Sequence, residues 1–283
     1  MKDGTLKIAT CQFGVTESVA QNARAIRGFL KKAKKAEADV VHFSECALSG
    51  YAGTDFGSFE DYDWALLKEE TQSIMGLAGE LGLWVVLGST HPLTPPHKPH
   101  NCLYLIDDKG NLVTRYDKRF CTSGDLDYYT PGNRFVTFDL SGVKCSLLIC
   151  FDLRFPELYR ELYKLGVQCL FQSFYNARQR GPSIHTHIMR QTMQCHAATN
   201  YFWVSMTNSC GRYSPYPSCF IRPDGVIAEQ LRPNRAGMMV NAVDLNQDLY
   251  DPMAGFREMA LAGRLTNGEG KIDDPRSQNV TGL

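Results

Sequence analysis

The sequence predicts an α/β protein with two sheets covered by helices, and three observations carry that expectation. Apolar runs of strand length alternate with segments of helical periodicity, the same alternation begins again in the second half, and no long linker interrupts the chain. Residues 7–13 read as a strand and 18–36 as an amphipathic helix whose basic cluster, Lys31-Lys32-Ala33-Lys34-Lys35, is its solvated face. A second strand at 39–43, a helix at 64–81 and a third strand at 83–89 follow. Four prolines between Pro92 and Pro99 mark an exposed loop, and 101–106 with 111–116 make a hairpin around Asp108-Lys109-Gly110.

In the second half, strands near 134–140 and 143–149 precede a helix over 156–165, where Pro156 suits the first turn and Gly166 the stop. Strand 167–172, helix 183–199, strand 201–207 and a hairpin around Arg222-Pro223-Asp224-Gly225 complete the pattern. The expected organisation is one domain over residues 1–266. The tail 267–283 is apolar-poor and rich in Gly and Asp, so it is either flexible or an arm packed on a partner subunit.

Composition narrows the function. Lys plus Arg equals Asp plus Glu at 30 each, so no global field recruits nucleic acid or an anionic membrane. No signal-peptide core and no apolar run of ~20 residues are present, which implies a cytoplasmic protein. In such a reducing compartment the ten cysteines read as free thiols. There is no Cys-x-x-Cys, and His185-x-His187 lacks further ligands, so neither a metal nor a cofactor is expected.

The segment Leu147-Leu148-Ile149-Cys150-Phe151-Asp152-Leu153-Arg154-Phe155-Pro156-Glu157 ends an apolar strand on a cysteine and starts a helix a few residues later. A free cysteine is most often a small core residue, but a strand-to-helix turn presents a nucleophile at the carboxyl end of a strand, where α/β sites are built. Two other strand ends carry complementary groups. Asp39-Val40-Val41-His42-Phe43 runs into Ser44-Glu45, a candidate base, and the strand ending at Tyr116 runs into Asp117-Lys118-Arg119.

With Ser44-Glu45 followed by Leu48-Ser49-Gly50-Tyr51, then Tyr116-Asp117-Lys118-Arg119, then Cys150 to Leu158, the chain resembles the nitrilase superfamily of carbon–nitrogen hydrolases. The resemblance runs from the strand at Ala9 to about Asp244. It implies a four-layer α-β-β-α sandwich and a cysteine-dependent hydrolase of a small amide or carbamoyl substrate, with amidases and N-carbamoyl amidohydrolases as the relevant branches. Nitrilases typically place Trp-Glu after the cysteine, where this chain has Phe151-Asp152. A noncatalytic binding protein is the competing reading.

The chemistry explains the triple. A thiol attacks an amide carbonyl as thiolate; Glu45 takes its proton, and Lys118 favours the thiolate and bonds the oxyanion beside the Phe151 N–H. Many members also carry a second glutamate before a Pro-Gly turn, whereas this chain offers only Asp125 and Asp127 before Pro131-Gly132. Arg154, four residues after the nucleophile, either binds a substrate carboxylate or pairs with Glu157 or Asp152. The resemblance further implies a homodimer or larger homo-oligomer formed through the helices at 156–165 and 183–199. There Tyr159, Tyr163, Ile188 and Met189 could supply contact surface, although core packing is the first expectation for any one of them.

Overall fold

The computed structural model describes residues 4–178, 180–268, 270 and 272–282. They group into two compact units, one extending to Tyr250 and the other starting at Asp251. The first holds two six-stranded mixed sheets.

One sheet is built from β1 (Thr5–Gln12), β2 (Val40–His42), β3 (Trp84–His91), β4 (His100–Ile106), β5 (Leu112–Asp117) and the late strand β12 (Gly237–Asp244), in the order β12-β1-β2-β3-β4-β5. The other contains β6 (Thr137–Leu140), β7 (Val143–Ile149), β8 (Cys169–Ser173), β9 (Trp203–Thr207), β10 (Cys219–Ile221) and β11 (Ile227–Gln230), in the order β11-β10-β9-β8-β7-β6. Both follow one plan. Three parallel strands (β1-β2-β3 and β7-β8-β9) form the centre, and antiparallel strands close each edge. Parallel strands are covered on both faces, which is why they read as continuous apolar runs.

Helices α1 (Val19–Lys35) and α2 (Trp64–Leu81) cover the first sheet, and α3 (Pro156–Lys164) and α4 (His185–Asn200) belong to the second. Ser18 caps α1, Lys32, Lys34 and Lys35 face its negative end, and Asp63 caps α2. Pro156 opens α3 as the sequence predicts. Ala9, Val41, Val85 and Leu87 pack against Ile26, Leu30, Ile74 and Ala78 in the layer under α1 and α2. Ile8, Val40, Val86 and Leu103 share a second layer with Leu147, Ile149 and Phe171, and the same cluster continues through Leu170 to Leu158, Leu162 and Met193 beneath α3 and α4. Full burial of each such side chain is worth about 1.5–3 kcal/mol.

The expected elements occur, with shifts at their ends. Tyr201 belongs to the cap of α4 at φ +58° rather than to β9, and Cys150 opens a 3-10 turn, Cys150–Arg154, ahead of α3. The hairpin around Arg222 to Gly225 joins β10 to β11. Strand β12 is an addition: it returns to pair antiparallel with β1 over its whole length, from Thr5 opposite Asp244 to Gln12 opposite Gly237.

The second unit carries α5 (Arg257–Leu261) and α6 (Pro275–Gln278), and Arg257 clasps Asp251 through two bonds of 2.7 and 3.2 Å. The sequence-defined tail falls here, with residues 269, 271 and 283 outside the described set.

Candidate active site

Three strand ends converge. Glu45 lies three residues beyond β2, Lys118 directly follows β5, and Cys150 directly follows β7, so the first sheet supplies the carboxylate and ammonium and the second the thiol. Local backbone makes this possible. Cys46 and Cys150 both adopt positive φ, at +51° and +42°, a conformation that costs a non-glycine residue about 1–3 kcal/mol and that concentrates at functional sites. The Glu45 loop lies directly over β3, where a Cβ on Gly88 would come 1.9 Å from Ser44 O. Only glycine admits so close a backbone approach.

Lys118 Nζ, itself 1% exposed, donates to Glu45 Oε1 and to Asp125 Oδ2, each at 2.8 Å, and reaches Tyr51 OH at 3.3 Å. Glu45 is fixed further by Asn101 Nδ2 on Oε1 at 2.7 Å and by the Tyr175 N–H on Oε2 at 2.8 Å. Asp125 accepts from Tyr51 OH at 2.6 Å and from the Thr122 N–H at 2.9 Å. Asn176 Nδ2 stands 3.6 Å from Cys150 Sγ, its own carbonyl held by Tyr216 OH at 2.9 Å. Asp152 accepts from the N–H groups of Ile149 and Phe120 and from Tyr116 OH, at 3.0, 2.9 and 2.8 Å, and so ties the nucleophile turn to the segment that carries Lys118.

The two carboxylates on Lys118 are driven apart. Burial pushes Glu45 above its ordinary value despite the pull of Lys118, whereas burial at Asp125 is outweighed by Lys118, Tyr51 OH and the Thr122 N–H, which hold its carboxyl below the ordinary value. Such a divergence of two neighbouring carboxyls is the pattern of an acid–base site. Burial works against the Lys118 charge, but Glu45, Cys150 and Asp125 together keep its ammonium well above the usual lysine range. Burial and then Glu45 hold the Cys150 thiol well above its ordinary value; Lys118 pulls the other way and is outweighed. These shifts favour the protonated thiol over the thiolate at Cys150.

Lys118, Asp125 and Cys150 line a cavity of about 530 Å³ that also takes in Phe151, Arg154, His185 and Met189, with Glu45 fully buried behind Lys118. The Phe151 N–H stands in the first turn of a 3-10 helix, where backbone donors lack a helical acceptor. Among the described residues no carboxylate pairs with Arg154: Asp152 bonds elsewhere, and Arg154 is exposed at the cavity wall. The other cavity arginine, Arg178, pairs with Asp55 at 2.7 Å. Asp127 is exposed and makes no contact with Lys118, so of the two aspartates only Asp125 joins the cluster.

Asn101, Tyr51, Tyr175, Asn176 and the turn-holding role of Asp152 have no local signature, although an asparagine inside the apolar run from Asn101 to Ile106 hints at a buried partner. Of the four residues named on α3 and α4, two pack inside the chain. Tyr159 is fully buried, stacked on His196 with centroids 3.7 Å apart and bonded to Gln172 at 2.9 Å, and Met189 is buried at the cavity. Tyr163 and Ile188 are only half-buried.

A family model described as carbon–nitrogen hydrolase matches residues 7–247. The hydrolase in the agr operon of Staphylococcus lugdunensis is 31% identical over 69% of this chain and 83% of its own length. An omega-amidase of Bos taurus is 28% identical over 59% of this chain, and that match spans 62% of the relative's length. Among solved structures, a mutant of the amidase from Nesterenkonia sp. AN1, showing covalent addition of the acetamide moiety of fluoroacetamide at the active-site cysteine, superimposes with a TM-score of 0.75. It shares 20% identity, with 92% of this chain and 95% of that one covered.

Proposed function

The chain belongs to the carbon–nitrogen hydrolase family, and from that premise we propose that it is a cysteine-dependent hydrolase of small linear amides that also carry a carboxylate. The observation that carries this reading is the Lys118 ammonium held between Glu45 and Asp125 in the cavity that Cys150 lines.

In the proposed reaction Glu45 takes the Cys150 proton as Sγ attacks the amide carbonyl carbon. The oxyanion is met by the Phe151 N–H and by the third hydrogen of Lys118, which turns to it from its long 3.3 Å contact with Tyr51 OH while the other two stay on Glu45 and Asp125. Collapse breaks the C–N bond, Glu45 returns the proton to the leaving nitrogen, and ammonia or an amine departs from a Cys150 thioester. Glu45 then takes a proton from water, whose oxygen attacks the thioester; the acid is released and the proton returns to Sγ. Arg154 supplies a planar fork for the substrate carboxylate, with no protein carboxylate competing among the described residues. An amide is preferred over a carbamoyl group on the likeness to the omega-amidase, whose name describes that protein alone.

Ammonia release across a panel of amides, ureido acids and nitriles, with and without a carboxylate, tests the class. Arg154→Lys is expected to raise KM for carboxylate-bearing amides about tenfold while leaving neutral amides within twofold; a uniform change on both removes Arg154 from the substrate. Cys150→Ala is expected to abolish turnover, and quenched protein is expected to carry an acyl adduct on Cys150. Full activity in that variant would overturn the reading.

The proposal places the hydrolase domain over residues 1–266 and the tail over 267–283, in a homodimer or larger homo-oligomer. It places the protein in the cytoplasm, where ten unpaired cysteines are at home. No described helix is long and apolar enough to cross a membrane.

A further inference from the structure

His42 is fully buried at the end of β2, three residues before Glu45, in the layer between the two sheets. An imidazole in that position is costly unless both nitrogens are bonded, and both are. Nδ1 lies 2.8 Å from Ser205 Oγ on β9 and Nε2 lies 2.8 Å from Ser173 Oγ on β8. The hydroxyls set the direction. Ser173 Oγ donates to Phe43 O at 2.9 Å, so it accepts from Nε2–H; Nδ1 then accepts from Ser205, whose oxygen is 2.7 Å from Thr10 Oγ1. Burial pushes His42 down to about 3, which keeps the ring in the neutral form this chain of bonds requires.

The partners lie close to the reacting atoms. Ser173 is the register partner of Ile149, the residue before Cys150. Two residues later the Tyr175 N–H holds Glu45 at 2.8 Å, and Asn176 next to it stands 3.6 Å from Cys150 Sγ. Apolar packing between sheets is non-directional and tolerates sliding, whereas hydrogen bonds do not. Proton transfer between groups on different sheets is sensitive to misplacement on the order of 1 Å.

We propose that His42 is a positioning residue that, through Ser173 and Ser205, sets the placement of Glu45 on one sheet against Cys150 on the other. The proposal rests on the reading of Glu45 as the base for Cys150. Its test is therefore independent of any amide: the rate of Cys150 alkylation by iodoacetamide at pH 7, followed on the Cys150 peptide by mass spectrometry. His42→Phe fills the site without polar atoms and is expected to slow alkylation at least tenfold. His42→Gln restores one acceptor and one donor and is expected to return within threefold of the parent. In a Glu45→Gln background, His42→Phe is expected to add less than twofold, because the base it positions is gone.

A parent-like rate in His42→Phe, a loss that His42→Gln does not recover, or a tenfold loss that persists without Glu45 would each overturn the role. Should His42→Phe fail to fold, Ser173→Ala takes its place in the same cycle, with a tenfold loss expected and a parent-like rate counting against. If Glu45→Gln alone alkylates at the parent rate, the reading of Glu45 as base fails, and this role of His42 with it.

Discussion

Lys118 and Asp125 meet at 2.8 Å, Nζ to Oδ2, and the aspartate that makes this contact has one methylene fewer than the family's usual glutamate. The 3-10 turn Asp125–Asp127 brings the shorter side chain into reach, with its own N–H bonded to Thr122 Oγ1 at 3.1 Å. Asp125→Asn removes the charge but not the shape. It is expected to lower kcat/KM at least a hundredfold, whereas Asp127→Asn, on the exposed side of the same turn, stays within twofold. Steady-state kinetics of the two variants decide it, and equal small effects would leave Lys118 held by Glu45 alone.

Lys118→Met takes away the proposed oxyanion donor and leaves two buried carboxylates without a counter-charge. Loss of one such donor costs about a hundredfold or more in kcat, and breaking a buried ion pair costs about 3–5 kcal/mol of stability. Both are expected, read by kinetics and by denaturant melts. Arg119→Met, whose guanidinium lies over the Phe135 ring at 4.1 Å, is expected to remain within threefold in kcat. In the proposed reaction the positive charge at the carbonyl oxygen comes from Lys118, so dialysis against a chelator is expected to leave kcat unchanged.

The pH profile follows from the direction of each shift. Glu45 accepts a proton only when ionised, and burial lifts its carboxyl above the ordinary range. Activity is therefore lost as pH falls through a limb above the usual glutamate value of about 4.3. Burial lifts Asp152 to about 6, and its protonation weakens the grip on the Ile149 and Phe120 N–H groups, so it acts in the same sense. Cys150 and Lys118 are both held well above their ordinary values, so the profile is expected to stay level from neutrality to at least about pH 8.5. A rate that already declines between pH 7 and 8 contradicts this assignment of protons.

Glu45, Lys118 and Cys150 could be read from the chain because each follows a strand within three residues, and strand ends are local features. The choice between Asp125 and Asp127 could not, since a single residue of register in a turn decides which carboxylate faces inward. Asn101 and the Tyr175 N–H reach Glu45 across sequence separations of 56 and 130 residues, and only the assembled sandwich brings them there. Strand β12 escaped notice for another reason. In Gly237-Met238-Met239-Val240-Asn241-Ala242-Val243-Asp244 only Met239 and Val243 have fully buried side chains, as suits an edge strand, and neither alternation nor an unbroken apolar run results.

Gly88 offers a test of the loop that carries Glu45. Gly88→Ala drives a methyl into Ser44 O and Cys46 N, so the loop must move. It is expected to lose at least tenfold in kcat and about 1–3 kcal/mol of stability, the usual cost of overpacking. Gly28→Ala on α1, where nothing lies within 4 Å of the added carbon, is expected to gain about 0.5–1 kcal/mol with kcat unchanged. Parallel melts and kinetics of the two variants separate glycine as close-contact residue from glycine as mere helix filler.

The pairing of β1 with β12 sets an order of events during synthesis. Glu45 and Lys118 leave the ribosome early and Cys150 somewhat later, but the first sheet lacks its outer strand until residue 244 has emerged. Until then the eight-residue edge of β1 presents unpaired backbone groups, the kind of edge that recruits other strands. A nascent chain stalled after Cys150 would thus hold Glu45, Lys118 and Cys150 and still carry an open edge prone to association. The sheet that carries Glu45 and Lys118 is complete only when a late strand closes beside the first.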